Sequence, residues 1–87
     1  MSKNIGVIGA GAWGTAMAQA LARTGHIVEV WAMEQEVVDS INNEHENKKF
    51  LSGFKLSENL TASTDIKKVA SNKEFLILAK FCTFVQS

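Results

Sequence analysis

The sequence lacks most of what would mark a particular chemistry. Only one of its 87 residues is a cysteine, Cys82, so neither an internal disulfide nor a zinc site built from cysteines can form. A reducing compartment, the cytoplasm, is the expected setting. Nine lysines and arginines balance nine aspartates and glutamates. With no net charge and no basic run, neither nucleic acid nor a membrane surface is expected as a partner. No stretch approaches the roughly 18 apolar residues of a membrane span. The N-terminal "MSKNIGVIGAGAWG" makes a poor signal peptide, because glycines break its apolar run. There is no internal repeat, low-complexity tract or linker. A chain of this length is one domain at most, burying about 60 to 65% of its unfolded surface.

What is present alternates. "NIGVIG" is a continuous apolar run rich in β-branched residues, which suits a strand buried on both faces. From Trp13 the apolar positions Trp13, Ala16, Met17, Ala20 and Leu21 match the i, i+3, i+4, i+7, i+8 spacing of a helix with one buried stripe, and Gly25 follows as its C′ residue. "HIVEVWA" is a second strand. "EQEVVDSIN" places Val37, Val38 and Ile41 at helical spacing behind acids that suit a helix N-terminus. "NEHENKKFLSGFKLSENL" is polar and unperiodic and reads as a long loop. "LTAST" follows as a short strand, "TDIKKVASN" as a helix capped by Thr64, and "EFLILA" as a fourth buried strand. Strands alternating with helices imply a parallel sheet with right-handed crossovers, here in the order 3-2-1-4.

The glycines of "IGVIGAGAWGTA" fall where the first strand turns into the first helix. At such a turn one glycine permits the tight bend, a second lets a phosphate approach the backbone, and a third lets helix and strand pack closely. Gly9, Gly11 and Gly14 take these roles, and the helix N-terminus around Ala12 to Thr15 faces the pyrophosphate of a dinucleotide. G-x-G-x-x-G is a weak signal alone; inside a strand–turn–helix of the right size it indicates a Rossmann-type nucleotide-binding fold. Trp13 reads equally as helix core or as a ring beside the cofactor. At the end of the second strand, "VWAMEQE", an acid would bind ribose hydroxyls and an arginine would accept a 2′-phosphate. Glu34, about twenty residues beyond the glycines, supplies the acid and Met33 supplies no cation, which favours NAD over NADP. Glu34 would equally suit a first-turn acid of the second helix.

Together "GVIGAGAWGTAMAQALARTGHIVEVWA", "INNEHENKKFLSGFKL", "LTASTDI" and "FLILA" resemble the N-terminal segment of NAD(P)-dependent glycerol-3-phosphate dehydrogenase. The narrow part of the resemblance is G-A-G-x-W-G-T-A followed by I-N-x-x-H-E-N-x-x-F-L-x-G. The resemblance implies that Gly9 to Gly14, with Ala12 and Trp13, bind the dinucleotide. It also implies that Met33 stands where an Arg or His often touches the adenosine ribose phosphate, and that Phe50 lies in a loop beside the cofactor. The favoured alternative is that Phe50 pins that loop to the core. Two departures stand out. Ser52 replaces a usual proline, in a chain with no proline at all, which loosens the loop slightly. Lys80, Phe81, Cys82 and Thr83 replace the turn usual at the end of the fourth strand.

A second, helical domain that would hold a small phosphorylated substrate is expected to lie outside residues 1–87, so no catalytic residue and no metal ligand is expected here. Cys82 reads as an inert thiol and Lys80 as a solvated terminal lysine; His26 and His45 read as surface or loop-ordering residues. The expected function is the dinucleotide-binding part of a dehydrogenase that moves hydride between NAD(P)H and dihydroxyacetone phosphate or glycerol 3-phosphate. Two alternatives stay open: a truncated, non-catalytic nucleotide-binding or interaction module, and a piece of another two-domain NAD-dependent dehydrogenase. The fourth strand, apolar yet outermost in the expected order, is a candidate for self-association.

Overall fold

Alternate residues of a strand face opposite sides of a sheet, so Ile5 and Val7, Val28 and Val30, Leu60 and Ala62 all point one way, and all are buried. The computed structural model describes residues 2–79, and these six side chains form the centre of its core. Among the described residues the elements run β1 (Asn4–Ile8), α1 (Ala12–Arg23), β2 (Ile27–Trp31), α2 (Gln35–Glu44), β3 (Leu60–Ser63), α3 (Ile66–Ala70) and β4 (Phe75–Leu78). The sheet order is β3-β2-β1-β4, as expected, and every pairing is parallel. Asn4 stands opposite Ile27, Val28 opposite Leu60 and Ile5 opposite Phe75.

α1 and α2 cover the face carrying Ile5, Val7, Val28 and Val30; Ala18, Ala22, Val37, Val38 and Ile41 complete that core. α3 lies on the other face, where Lys68 reaches Glu29 and the backbone of Val69 comes close to Gly6. Two crossovers running toward β3 share one face and the return to β4 takes the other, as right-handed connections require.

Four expectations need correction. The buried stripe of α1 is Gly14, Thr15, Ala18 and Ala22 rather than Trp13, Ala16, Met17, Ala20 and Leu21. Small residues let the helix axis approach the sheet, and Met17 and Leu21 flank the contact half-buried, while Trp13, Ala16 and Ala20 face solvent. The cap of α3 is Asp65, one residue beyond Thr64, and its carboxylate accepts from the amides of Lys67 at 3.0 Å and Lys68 at 3.3 Å. Glu34, expected in the first turn of α2, is instead its extended N-cap with no side-chain capping bond, and Glu36 is the first-turn acid. β4, expected to be buried, leaves Phe75, Leu76 and Leu78 exposed, because it is the sheet's outer strand among the described residues. Gly25 follows the Thr24 cap of α1 as expected.

One buried charge escaped the sequence reading. Glu29 sits mid-strand under α3 with its side chain only 11% exposed; Lys73 Nζ donates to its Oε1 at 3.0 Å and Lys68 Nζ donates to its Oε2. Burial pushes the carboxyl pKa up, but the two lysine hydrogen bonds and their charges outweigh it and hold the group below its ordinary 4.5. A depressed folded-state value means that this contribution is complete above the unfolded value and lost as pH falls through the folded one. The melting temperature is therefore expected to decline as pH drops below 4.5. Glu29→Gln should cost about 2 kcal/mol at neutral pH and flatten that decline. Thermal melts across the pH range check it; an equally steep acid decline in the variant would assign the effect to other carboxylates.

Candidate functional site

At the C-terminal end of the sheet β1 passes into α1 through three residues, and the geometry of that turn explains its glycines. Gly9 has φ 120°, in the region that side chains avoid, and its amide donates to the Trp31 carbonyl at 3.0 Å, tying the turn to the end of β2. A Cβ on Gly14 would lie 2.1 Å from the Gly9 carbonyl oxygen and 3.0 Å from the Ala79 Cβ, so helix and turn touch where only hydrogen fits. Gly11 is different: nothing lies within 4 Å of its Cβ position, which leaves the turn open to an approaching group. Gly11 caps α1 without a side-chain bond, so the amides of Ala12, Trp13 and Gly14 have no intrahelical acceptor. Those amides and the positive end of the helix dipole make a site for an anion.

This turn is the floor of a pocket of about 600 Å³, within the roughly 300–1,000 Å³ usual for small-molecule sites. All eight residues picked from the sequence line it: Gly9, Gly11, Ala12, Trp13, Gly14, Met33, Glu34 and Phe50. Trp13 is half exposed at the helix start and Phe50 projects from the long loop at 43% exposure, so neither spends its ring on the core. Met33 is 75% exposed at the rim. Glu34 is the charged residue among the lining groups, and Lys49 Nζ donates to its Oε2 at 2.6 Å. Among the described residues no lysine or arginine lines the pocket.

Sequence reasoning missed five lining residues, Ala10, Trp31, Ala32, Val37 and Ala79, and it missed what orders the walls. Asn47 is fully buried. Its Nδ2 donates to the Ala10 carbonyl and to Thr15 Oγ1, each at 2.8 Å, and its Oδ1 accepts the Phe50 amide at 3.1 Å. Thr15 Oγ1 in turn donates to the Ala10 carbonyl at 3.2 Å. One amide side chain thus joins the glycine turn, the start of α1 and the Phe50 loop. Its only signal in the sequence was membership of the H-E-N segment, where a polar residue looks like any loop residue. His26 accepts the Lys3 amide at Nδ1, and His45 ends α2 in the left-handed conformation at φ 55°; both serve local order rather than the pocket. Lys80, Phe81, Cys82 and Thr83 lie outside the described residues. Among the described residues no cluster of three or more metal-ligating side chains forms, and no helix is long and apolar enough to cross a membrane.

Residues 4–86 match the family model described as NAD-dependent glycerol-3-phosphate dehydrogenase N-terminus. The chain is 42% identical to a glycerol-3-phosphate dehydrogenase [NAD(P)+] of Treponema denticola over its whole length, and 47% identical over 76 residues to one from Sphingopyxis alaskensis, 87% of this chain. It spans about a quarter of these relatives, 24% and 23% of their lengths. The crystal structure of glycerol-3-phosphate dehydrogenase from Coxiella burnetii superposes with a TM-score of 0.81 at 34% identity, covering 88% of this chain and 24% of that one. The structure of the enzyme from Saccharomyces cerevisiae gives 0.82 at 27% identity, covering 98% and 29%.

Proposed function

Because the chain belongs to the NAD-dependent glycerol-3-phosphate dehydrogenase family through its N-terminal domain, we propose that its pocket binds NAD or NADP for hydride transfer between dihydroxyacetone phosphate and glycerol 3-phosphate. The observation that carries this reading is the glycine turn, where Gly14 is pressed against Gly9 while Gly11 leaves the first amides of α1 approachable. The pyrophosphate then lies over Gly11, Ala12 and Gly14, the adenosine ribose beside Met33 and Glu34, and Trp13 and Phe50 flank the ligand. The residues that hold the phosphorylated substrate belong to a further, helical domain of the longer protein, and the cytoplasm is its place of work.

Calorimetric titration tests it. NADH should bind the 87-residue chain at least as tightly as NADPH, and Met33→Arg should shift the balance toward NADPH by adding a cation at the pocket rim. Binding of neither cofactor would sink the reading, and a clear wild-type preference for NADPH would overturn the expected choice of NADH. Hydride transfer also needs the nicotinamide held about 3 to 3.5 Å from the accepting carbon and the developing alkoxide stabilised. The described residues offer only the cofactor's wall, so the same preparation with dihydroxyacetone phosphate should oxidise no NADH beyond a protein-free control.

Among the described residues β4 pairs only with β1, and with Phe75, Leu76 and Leu78 exposed its outer edge favours pairing with a second copy. Sedimentation at tens of micromolar should show dimers or larger species, and a clean monomer would count against this.

A further inference from the structure

Lys49 is a surface lysine by sequence and does not itself line the pocket, yet the fold places its ammonium against Glu34, which does. Its Nζ lies 2.6 Å from Glu34 Oε2, 3.9 Å from Glu36 Oε2 and 5.6 Å from the centre of the Phe50 ring. The position is held from behind: Asn47, two residues earlier, bonds the glycine turn through Ala10 and fixes the Phe50 amide. The hydrogen bond that Lys49 donates to Glu34 raises the Lys49 pKa, so the side chain stays a cation across the working pH range.

We infer that the Glu34–Lys49 pair is the cofactor-selecting element of this site, with Glu34 taking the ribose hydroxyls of NAD and Lys49 taking the 2′-phosphate of NADP. The inference rests on the dinucleotide reading above. Its logic is one of charge and hydrogen-bond valence. An unpaired Glu34 would repel a 2′-phosphate, and Met33 beside it offers no compensating charge. Paired with Lys49, the carboxylate is neutralised but keeps free lone pairs for hydroxyl donors. The ammonium has three donors, of which Glu34 occupies one, so two remain for phosphate oxygens. The same two side chains therefore serve either cofactor with only a small rotation of Lys49, a compact point charge on a flexible stem. The pair comes from two separate elements, the end of β2 and the long loop, so linear spacing alone does not reveal it.

Fluorescence titration of the chain with NADH and NADPH tests the assignment. Lys49→Met should weaken NADPH about ten-fold while changing NADH less than two-fold. Lys49→Arg should keep NADPH within about three-fold of wild type, and Glu34→Gln should weaken NADH while tightening NADPH. Lys49 is exposed, so thermal melts of its variants should overlay the wild type and separate selection from folding. If Lys49→Met leaves both affinities unchanged or lowers both alike, the pair selects nothing and only this inference falls. If the wild-type chain binds neither cofactor, the dinucleotide reading falls and this inference with it.

Discussion

Gly14→Ala should strip the chain of more than half of its stability at 25 °C and abolish NADH binding. The added carbon would sit 2.1 Å from the backbone oxygen of Gly9 and 3.0 Å from the Ala79 Cβ. Neither neighbour is the far end of a flexible side chain. Relief requires moving the turn, whose Gly9 amide is fixed on Trp31, or tilting α1 off the sheet that buries Thr15, Ala18 and Ala22. Overpacking of this kind costs about 3 kcal/mol or more, against a total of about 5 kcal/mol for so small a domain. Gly11→Val is the informative contrast. Its Cβ meets nothing within 4 Å and its φ of −70° suits any residue, so the fold should survive with a loss of about 1 kcal/mol at the helix cap. The isopropyl group would nevertheless stand where the pyrophosphate must approach, and binding should fall at least a hundred-fold. Circular dichroism melts with calorimetry separate the two. A Gly14→Ala chain that melts like wild type would mean that helix and turn are less tightly joined than their contact implies.

What could be read in advance follows the range of the interactions involved. Glycine spacing and strand alternation are set within a few residues, so the turn and the strand-helix alternation behind the sheet order were legible, whereas Phe50 was placed at the pocket only by the resemblance to a family. The α1 stripe was misread because the periodic template rewards large apolar residues, whereas close packing selected Gly14, Thr15, Ala18 and Ala22. Thr64 and Asp65 are both good caps, and only the backbone decides which one turns toward the amides of Lys67 and Lys68. β4 is as apolar as a central strand, but burial depends on neighbours on both sides, and composition says nothing of those. Glu29, Asn47 and Lys49 were invisible for a shared reason. Each is polar in a context that reads as surface, and each acquires its role from partners at least 15 residues away or through a neighbour so anchored.

Asn47→Leu should damage folding and binding together, and the binding loss should exceed what unfolding explains. Leucine keeps the branched shape of asparagine and is bulkier, so no cavity opens. What disappears is the donor to the Ala10 carbonyl and to Thr15 Oγ1, and the acceptor for the Phe50 amide. Leaving such groups unpaired costs about 1–3 kcal/mol each; Ala10 retains the Thr15 hydroxyl, so a total near 3 kcal/mol is expected. The consequence for binding comes from the peptide plane. In a trans peptide the carbonyl of Ala10 and the amide of Gly11 point to opposite sides. Asn47 and Thr15 hold that carbonyl inward, which turns the Gly11 amide outward to the pocket that Gly11 lines. Without Asn47 this plane can rotate and the Phe50 loop is released with it, so the anion site loses a donor and the pocket a wall. Kosmotropic sulfate would compete for the anion site, so trimethylamine N-oxide is the better stabiliser for restoring the fold. Under conditions where melts show the variant at least about 95% folded, its NADH Kd should remain ten-fold or more above wild type. Equal affinity in the folded variant would reduce Asn47 to a structural residue and leave the glycine turn to order itself.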